Sequence, residues 1–488
     1  MSRLLLVANR LPVTAMLERG QVVVRPSSGG LASALSAARE ETPNIWVGWP
    51  GELPAMNPAQ RRQFDWQMTS HHVIPVILSR DELHDFYENV SNGVLWPVSH
   101  GLLDNVPLEM HGWATYRAVN QRFADAVVDA YEDGDTIWVH DYQLMLVPSM
   151  LRERLPHARI GYFHHIPFPS EEAFRVLPWR EELLHGLMGA NLVGFQSTDC
   201  VRNFSAAARR TLGVDGGDDW LIEHGHRTQL GAFPISIDFE AWNSLATSAE
   251  VAEEAKRFRA TAPDEQILLG VDRLDYTKGI LRRLLAFERL LEQNDNFLGR
   301  VRFVQVTVPS REKIQAYATM KRRVDELVGR INGRFGTAHW MPVHRIHAHL
   351  TLTELSGLYR AADVLLVTPL RDGMNLVVKE FAATRTDGTG AIVLSEFAGA
   401  ATQLTRSLLV NPYDINAVAT AIRRALDMPV DEQRDRMVAT RAQIQQFDIR
   451  RWNREFMQSL DDACTDDDGD WLDPLSLSPH EEPVAMPV

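Results

Sequence analysis

The sequence predicts an α/β protein made of two doubly wound domains that face a central cleft, and three observations lead there. First, 488 residues at 45% hydrophobic content are enough for two cores, because one core seldom grows beyond about 250 to 300 residues. Second, short apolar runs alternate with longer amphipathic segments, with Gly, Pro or Asp between them, as βαβ units require. Third, that alternation is present in each half of the chain.

In the first half the predicted strands are 4–8, 45–49, 73–78, 136–140, 159–164 and 192–195. Each is short and mainly apolar, which suits burial on both faces of a parallel sheet. In the second half they are 266–271, 301–308, 363–368, 391–395 and 407–410, with helices such as 312–328 between them. A polar helix is predicted over 248–260, after the PISID segment at 234–238. The boundary is placed there, giving domains 1–237 and 238–447, with a helix over about 448–463 that packs back on the first domain. From Asp461 onward there are seven Asp and two Glu but no Lys or Arg, so 464–488 is expected to be a disordered acidic tail. Residues 461–488 carry -9 of the formal charge of -14, so the acidity says little about an active site.

The excess of 64 acidic over 50 basic residues argues against a nucleic-acid or anionic-membrane partner. Cys200 and Cys464 are the only cysteines and lie far apart, so neither a disulfide framework nor a cysteine zinc site is expected. The opening MSRLLLVANR is too short for a signal-peptide core and reads as a first strand. No run reaches the ~20 apolar residues of a membrane helix. The expected location is the cytoplasm.

Doubly wound sheets bind ligands beyond the carboxyl ends of their strands, so chemistry is sought in loops that follow strands. Gly29 and Gly30 precede an alanine-rich helix, which fits either a phosphate on free amides or an ordinary Gly-rich turn. Arg273 and Lys278, in the VDRLDYTKG segment after a strand, place two cations where a diphosphate leaving group would gather charge. The TPLRDGMNLVVKE segment, 368–380, turns at Asp372 and enters a helix with Glu380 about two turns inside. There Asp372 can accept from sugar hydroxyls and Glu380 from a ribose. His165, in HHIPFP, is held at a strand exit by prolines. Asp141, in WVHDYQL, either holds an acceptor hydroxyl or caps a helix. Asp133 and Asp135 precede their strand and read as a turn rather than a metal triplet. His344, His347 and His349 lack ligand spacing and read as a loop or strand edge. No metal site and no cofactor are expected.

Together the motifs ANRLP, SGGL, SNGVLWP, WVHDYQL, HHIPFP, DRLDYTKG, RINGRFG, TPLRDGMNLVVKE and SEFAGA resemble the trehalose-6-phosphate synthase family, over residues 2 to about 461. The resemblance implies a GT-B fold of two Rossmann-like domains, and a retaining glycosyltransferase of family 20. It implies glucose transfer from a nucleoside-diphosphate glucose, with UDP-glucose expected, to glucose 6-phosphate. By the family pattern Gly29, Gly30, Arg273 and Lys278 would contact the donor diphosphate, and Leu376, Val377 and Glu380 the nucleoside. His165 and Asp372 would contact the transferred glucose. Arg10, Tyr87, Asp141 and Arg311 would hold glucose 6-phosphate, with Trp96 shaping its pocket. Leu350 departs from the aromatic of bacterial members near the base, so base choice stays open. The loop from Val13 to Ser28 is longer than in the shortest bacterial members. The alternatives are a glucosylglycerol-phosphate synthase and an inactive sugar-phosphate-sensing regulator. A homo-oligomer is left open.

Overall fold

A computed structural model describes residues 3–27, 44–309 and 314–467. Its strands, in chain order, are β1 (Leu4–Arg10), β2 (Val13–Glu18), β3 (Gln21–Pro26), β4 (Asn44–Trp49), β5 (Val73–Pro75), β6 (Thr136–His140), β7 (Arg159–Phe163) and β8 (Leu192–Phe195). There follow β9 (Asp215–Gly216), β10 (Trp220–Glu223), β11 (His226–Ala232), β12 (Gln266–Arg273), β13 (Val301–Val308), β14 (Val343–Ile346), β15 (Val364–Val367), β16 (Ala391–Ser395) and β17 (Leu408–Val410). Among the described residues they form a nine-stranded sheet, β5-β4-β1-β6-β7-β8-β11-β10-β9, and a six-stranded sheet, β14-β13-β12-β15-β16-β17. A separate hairpin pairs β2 with β3.

The central strands are parallel and buried on both faces: every residue of β1 except Arg10 is buried, as is all of β6, β8, β15 and β16. Strand order reverses beside β1 and β6 in the first sheet and beside β12 and β15 in the second. At such switch points the loops on either side diverge and leave a crevice at the carboxyl ends of the strands.

The chain passes from the first sheet to the second through 233–238, an extended strap ahead of the helix Phe239–Ala246. It returns in the helix Ile449–Asp467, which packs on β7, β8 and β11. Two glycines make room for it: a Cβ on Gly161 or Gly194 would lie 2.9 or 2.7 Å from the Phe456 ring. Phe456 then stacks on Trp138 with ring centres 4.4 Å apart, and Trp452 lies 5.1 Å from Trp138. Such pairs contribute about 0.5–1.5 kcal/mol each beyond the area they bury. Among the described residues no helix is long and apolar enough to cross a membrane.

Several expectations are corrected. The returning helix continues to Asp467, so residues 464–467, expected in a disordered tail, are helical; residues 468–488 lie outside the described part. The segment from Val13 is a hairpin, not a loop, closed by Arg19 and Gly20 at positive φ. The helix expected over 312–328 runs from Gln315 to Phe335. Two features of the sequence fall as read: Asp135 closes a turn and binds Arg3, with Arg3 Nη2 to Asp135 Oδ2 at 2.6 Å, and His344 lies on the edge strand β14.

Candidate active site

The two crevices collect the residues singled out after strands. Arg10 ends β1 and Asp141 follows β6; Arg273 ends β12, and the loop carrying Asp372 follows β15. Gly29, Gly30 and Arg311 lie outside the described residues.

In the C-terminal half three loops brace one another. Gly279 starts a helix at φ 67°, where a Cβ would lie 2.2 Å from the Thr368 carbonyl oxygen, so only glycine fits. The Leu370 amide donates to Thr277 O at 2.7 Å, the Asp372 amide to Phe397 O at 3.1 Å, and the Gly399 amide to Asp372 O at 3.2 Å. Inside this brace Lys278 Nζ lies 2.6 Å from Asp372 Oδ2, and Asn375 Nδ2 donates to the same oxygen at 3.1 Å. Burial works against ionisation of Asp372, but the Lys278 charge and these two donors outweigh it and hold the carboxyl below its usual range. Lys278 and Asp372, assigned above to different parts of a donor, thus satisfy each other in this structure.

The helix after this loop is Leu376–Thr384, capped by the Asn375 side chain, which accepts from the Val378 amide at 3.3 Å. Its first amides form an anion-binding end, with Leu376 and Val377 in the opening turn. Glu380 is its fifth residue, little more than one turn in rather than two. Tyr359 donates to Glu380 Oε2 at 3.0 Å, but burial dominates and pushes the carboxyl up to about 7. Arg273 stays half-exposed, its guanidinium carbon 5.4 Å from the Trp96 ring centre. A cation of the C-terminal half therefore rests on an aromatic of the N-terminal half.

In the N-terminal half the Arg10 guanidinium carbon lies 4.8 Å from the Trp49 ring centre and 6.0 Å from that of Tyr87. Tyr87 belongs to a π-helix, Leu83–Leu95, a rare geometry that clusters at functional sites. Asn92 pins it, donating to Tyr87 O at 2.8 Å while accepting from the Tyr142 hydroxyl at 2.7 Å. Trp96 follows directly, 5.7 Å from the Tyr142 ring. Asp141 has φ 74°, a strained value for a residue with a side chain. Its carboxylate accepts from the His165 amide at 3.1 Å and not from the amides of the short helix it precedes. His165 Nε2 lies 3.2 Å from His140 Nδ1. Burial, then the neighbouring His140 and His164, push His165 well below its ordinary range, so it presents a neutral imidazole.

The halves meet at these loops: a Cβ on Gly373 would lie 2.3 Å from the His165 carbonyl oxygen. Sequence reasoning passed over His100 and Asn375. His100 is buried, its Nδ1 2.7 Å from Trp96 O; burial pushes it down to about 4, and it senses Asp275, Lys278 and Asp372. The only signal was position, four residues after Trp96. Among the described residues no trio of His, Cys, Asp or Glu could hold a metal ion.

Two Rossmann-like domains with facing strand ends, cations on one side and sugar-type hydrogen-bonding groups on the other, define a glycosyltransferase of GT-B fold. The chain belongs to glycosyltransferase family 20, whose family model matches residues 2–462, and is thereby a retaining glycosyltransferase. It is 42% identical over 470 residues to a trehalose-6-phosphate synthase of Mycolicibacterium paratuberculosis, covering 94% of this chain and 95% of that one. It is 41% identical to a bifunctional trehalose-6-phosphate synthase/phosphatase of Thermoproteus tenax, covering 94% of this chain but spanning only 63% of that protein. Among solved structures, an α,α-trehalose-phosphate synthase (UDP-forming) from Burkholderia vietnamiensis superposes with TM-score 0.86 at 34% identity, covering 96% of this chain and 98% of that one. A structure from E. coli bound with UDP-2-fluoro glucose superposes with TM-score 0.84 at 34% identity, covering 94% and 99%.

Proposed function

We propose that the chain transfers glucose from UDP-glucose to glucose 6-phosphate with retention, forming α,α-trehalose 6-phosphate. The observation that carries this reading is the pairing of switch points. Arg273, Lys278 and Asp372 stand at one, Arg10, Asp141 and His165 at the other, with Trp96 touching Arg273 between them. Membership of the family and the relatives' substrates support it: one solved relative carries UDP-2-fluoro glucose, and another, from Burkholderia xenovorans, is in complex with glucose 6-phosphate.

In the proposed reaction the bond between the donor's anomeric carbon and its β-phosphate oxygen breaks while the anomeric hydroxyl of glucose 6-phosphate approaches on the same face. The hydroxyl proton passes to the departing phosphate oxygen, so UDP leaves from the side the new bond occupies. Arg273 and Lys278 stabilise the charge that gathers on the diphosphate, as cations already in place before the bond breaks. Asp372 and His165 orient the glucose, and Glu380 accepts from the ribose. Arg10 and Arg311 take the acceptor phosphate, with Tyr87, Trp96 and Asp141 around its sugar, and Gly29 and Gly30 close on the donor phosphates. Proximity does much of the remaining work, since aligning the two substrates removes the entropic part of the barrier. The scheme uses no metal and no cofactor, and the proposed location is the cytoplasm.

A panel of UDP-, GDP- and ADP-glucose, each with glucose 6-phosphate or glycerol 3-phosphate, tests the reading by nucleotide release and product mass. Fastest release is expected with UDP-glucose and glucose 6-phosphate, giving a disaccharide phosphate. Turnover confined to glycerol 3-phosphate, or UDP binding without turnover, would contradict it.

A further inference from the structure

Of the two residues in the TPLRDGMNLVVKE segment whose charge the proposed reaction leaves unused, Arg371 and Lys379, only Lys379 is buried. It is 1% exposed, and among the described residues no carboxylate pairs with its ammonium. Burying an ammonium without a counter-ion is expensive, and such groups persist where they hold something in place. Lys379 Nζ donates to the Ile235 carbonyl at 2.7 Å and to Gln403 Oε1 at 2.7 Å. Ile235 lies in the strap that joins the two sheets.

From the other side Gln196 grips the same residue, its Oε1 accepting from the Ile235 amide at 2.9 Å while its Nε2 donates to the His165 carbonyl at 3.4 Å. A continuous hydrogen-bonded line therefore runs from the His165 loop, through Gln196 and Ile235, to the helix that carries Glu380. The neighbouring strap carbonyls are also bound: Phe233 O accepts from Trp452 Nε1 at 3.0 Å and Ile237 O from the Ile449 amide at 3.0 Å. Lys379 alone of these three donors comes from the donor-side loop and helix.

We propose that Lys379 is a positioning residue for the transfer: it ties the donor helix to the strap and so sets the distance between donor and acceptor sites. This rests on the transfer reaction proposed above. Misplacing aligned reactants by about 1 Å can cost about 100-fold in rate.

The test compares the full-length protein with Lys379→Met, which keeps the length but donates nothing, and with Lys379→Arg. Steady-state rates with UDP-glucose and glucose 6-phosphate are measured well below each melting temperature, beside UDP affinity by calorimetry. In Lys379→Met, kcat is expected to fall at least tenfold while UDP affinity stays within threefold, with part of the rate restored in Lys379→Arg. A lower melting temperature with kcat within twofold of wild type would overturn the proposal, because the contact would then serve the fold alone. If Lys379→Met does not fold, Gln196→Met breaks the same line from the other side, and unchanged kcat there overturns it equally. An inactive wild-type protein would instead count against the transfer reaction, and with it the role that depends on that reaction.

Discussion

Glu380 illustrates how a single side chain can be unfavourable in the empty protein and useful in the complex. Burial pushes its carboxyl up to about 7 from an ordinary value of 4.5, with the Tyr359 hydroxyl as its partner. A raised folded-state value means that the group's contribution to stability is full below about pH 4.5 and is lost as pH rises through about 7. At pH 8 the unliganded protein therefore holds a partly buried, ionised carboxylate, which two ribose hydroxyls would satisfy. Glu380→Gln should raise the melting temperature of the nucleotide-free protein at pH 8 and leave it nearly unchanged at pH 5. Thermal unfolding at the two pH values checks this; an equal difference at both would show that the carboxyl does not titrate as placed.

Contacts between elements decide whether the two crevices form one site. The loop after β15 is squeezed between the loop after β16 and the His165 loop, and Gly373 stands where it meets the latter, 2.3 Å from His165 O for an added Cβ. Backbone on both sides cannot yield as a side chain would, so Gly373→Ala should part the donor and acceptor loops. We expect kcat to fall by about 100-fold with UDP affinity largely kept, measured by steady-state kinetics and calorimetry. A retained kcat would show that the loops have room to move apart.

The same elements show what a sequence can and cannot tell. The mostly apolar β6, β8, β13 and β16 were legible to the residue, because two-sided burial favours apolar side chains along the whole run. The edge strand β14, with sequence VHRI, was not, since an edge tolerates charge. The short antiparallel β9 and β10 and the β2–β3 hairpin escaped because their burial is partial and follows no unbroken run. The last turn of the helix Ile449–Asp467 was hidden by acidic composition. Of the candidate residues, Arg273, Lys278, Asp372, His165 and Asp141 were legible because they end or follow strands. Lys379 was not, since its partner is a carbonyl 144 residues away in the chain.

At the scale of the molecule, two sheets are joined by a strap leading out and a helix leading back, side by side at 233–237 and 449–452. All the chemistry proposed lies in the loops these two connections bring face to face. In the proposed scheme the cations for the leaving diphosphate come from one half and most of the groups around the acceptor from the other, so the transfer needs both halves. The most direct test supplies UDP-glucose labelled with carbon-13 at the anomeric carbon together with unlabelled glucose 6-phosphate, and follows the label by NMR. The label should appear in an α-configured glycosidic carbon of an α,α-linked disaccharide phosphate as UDP is released. Label emerging in a β-configured product, or only in free glucose, would contradict retentive transfer onto the sugar phosphate.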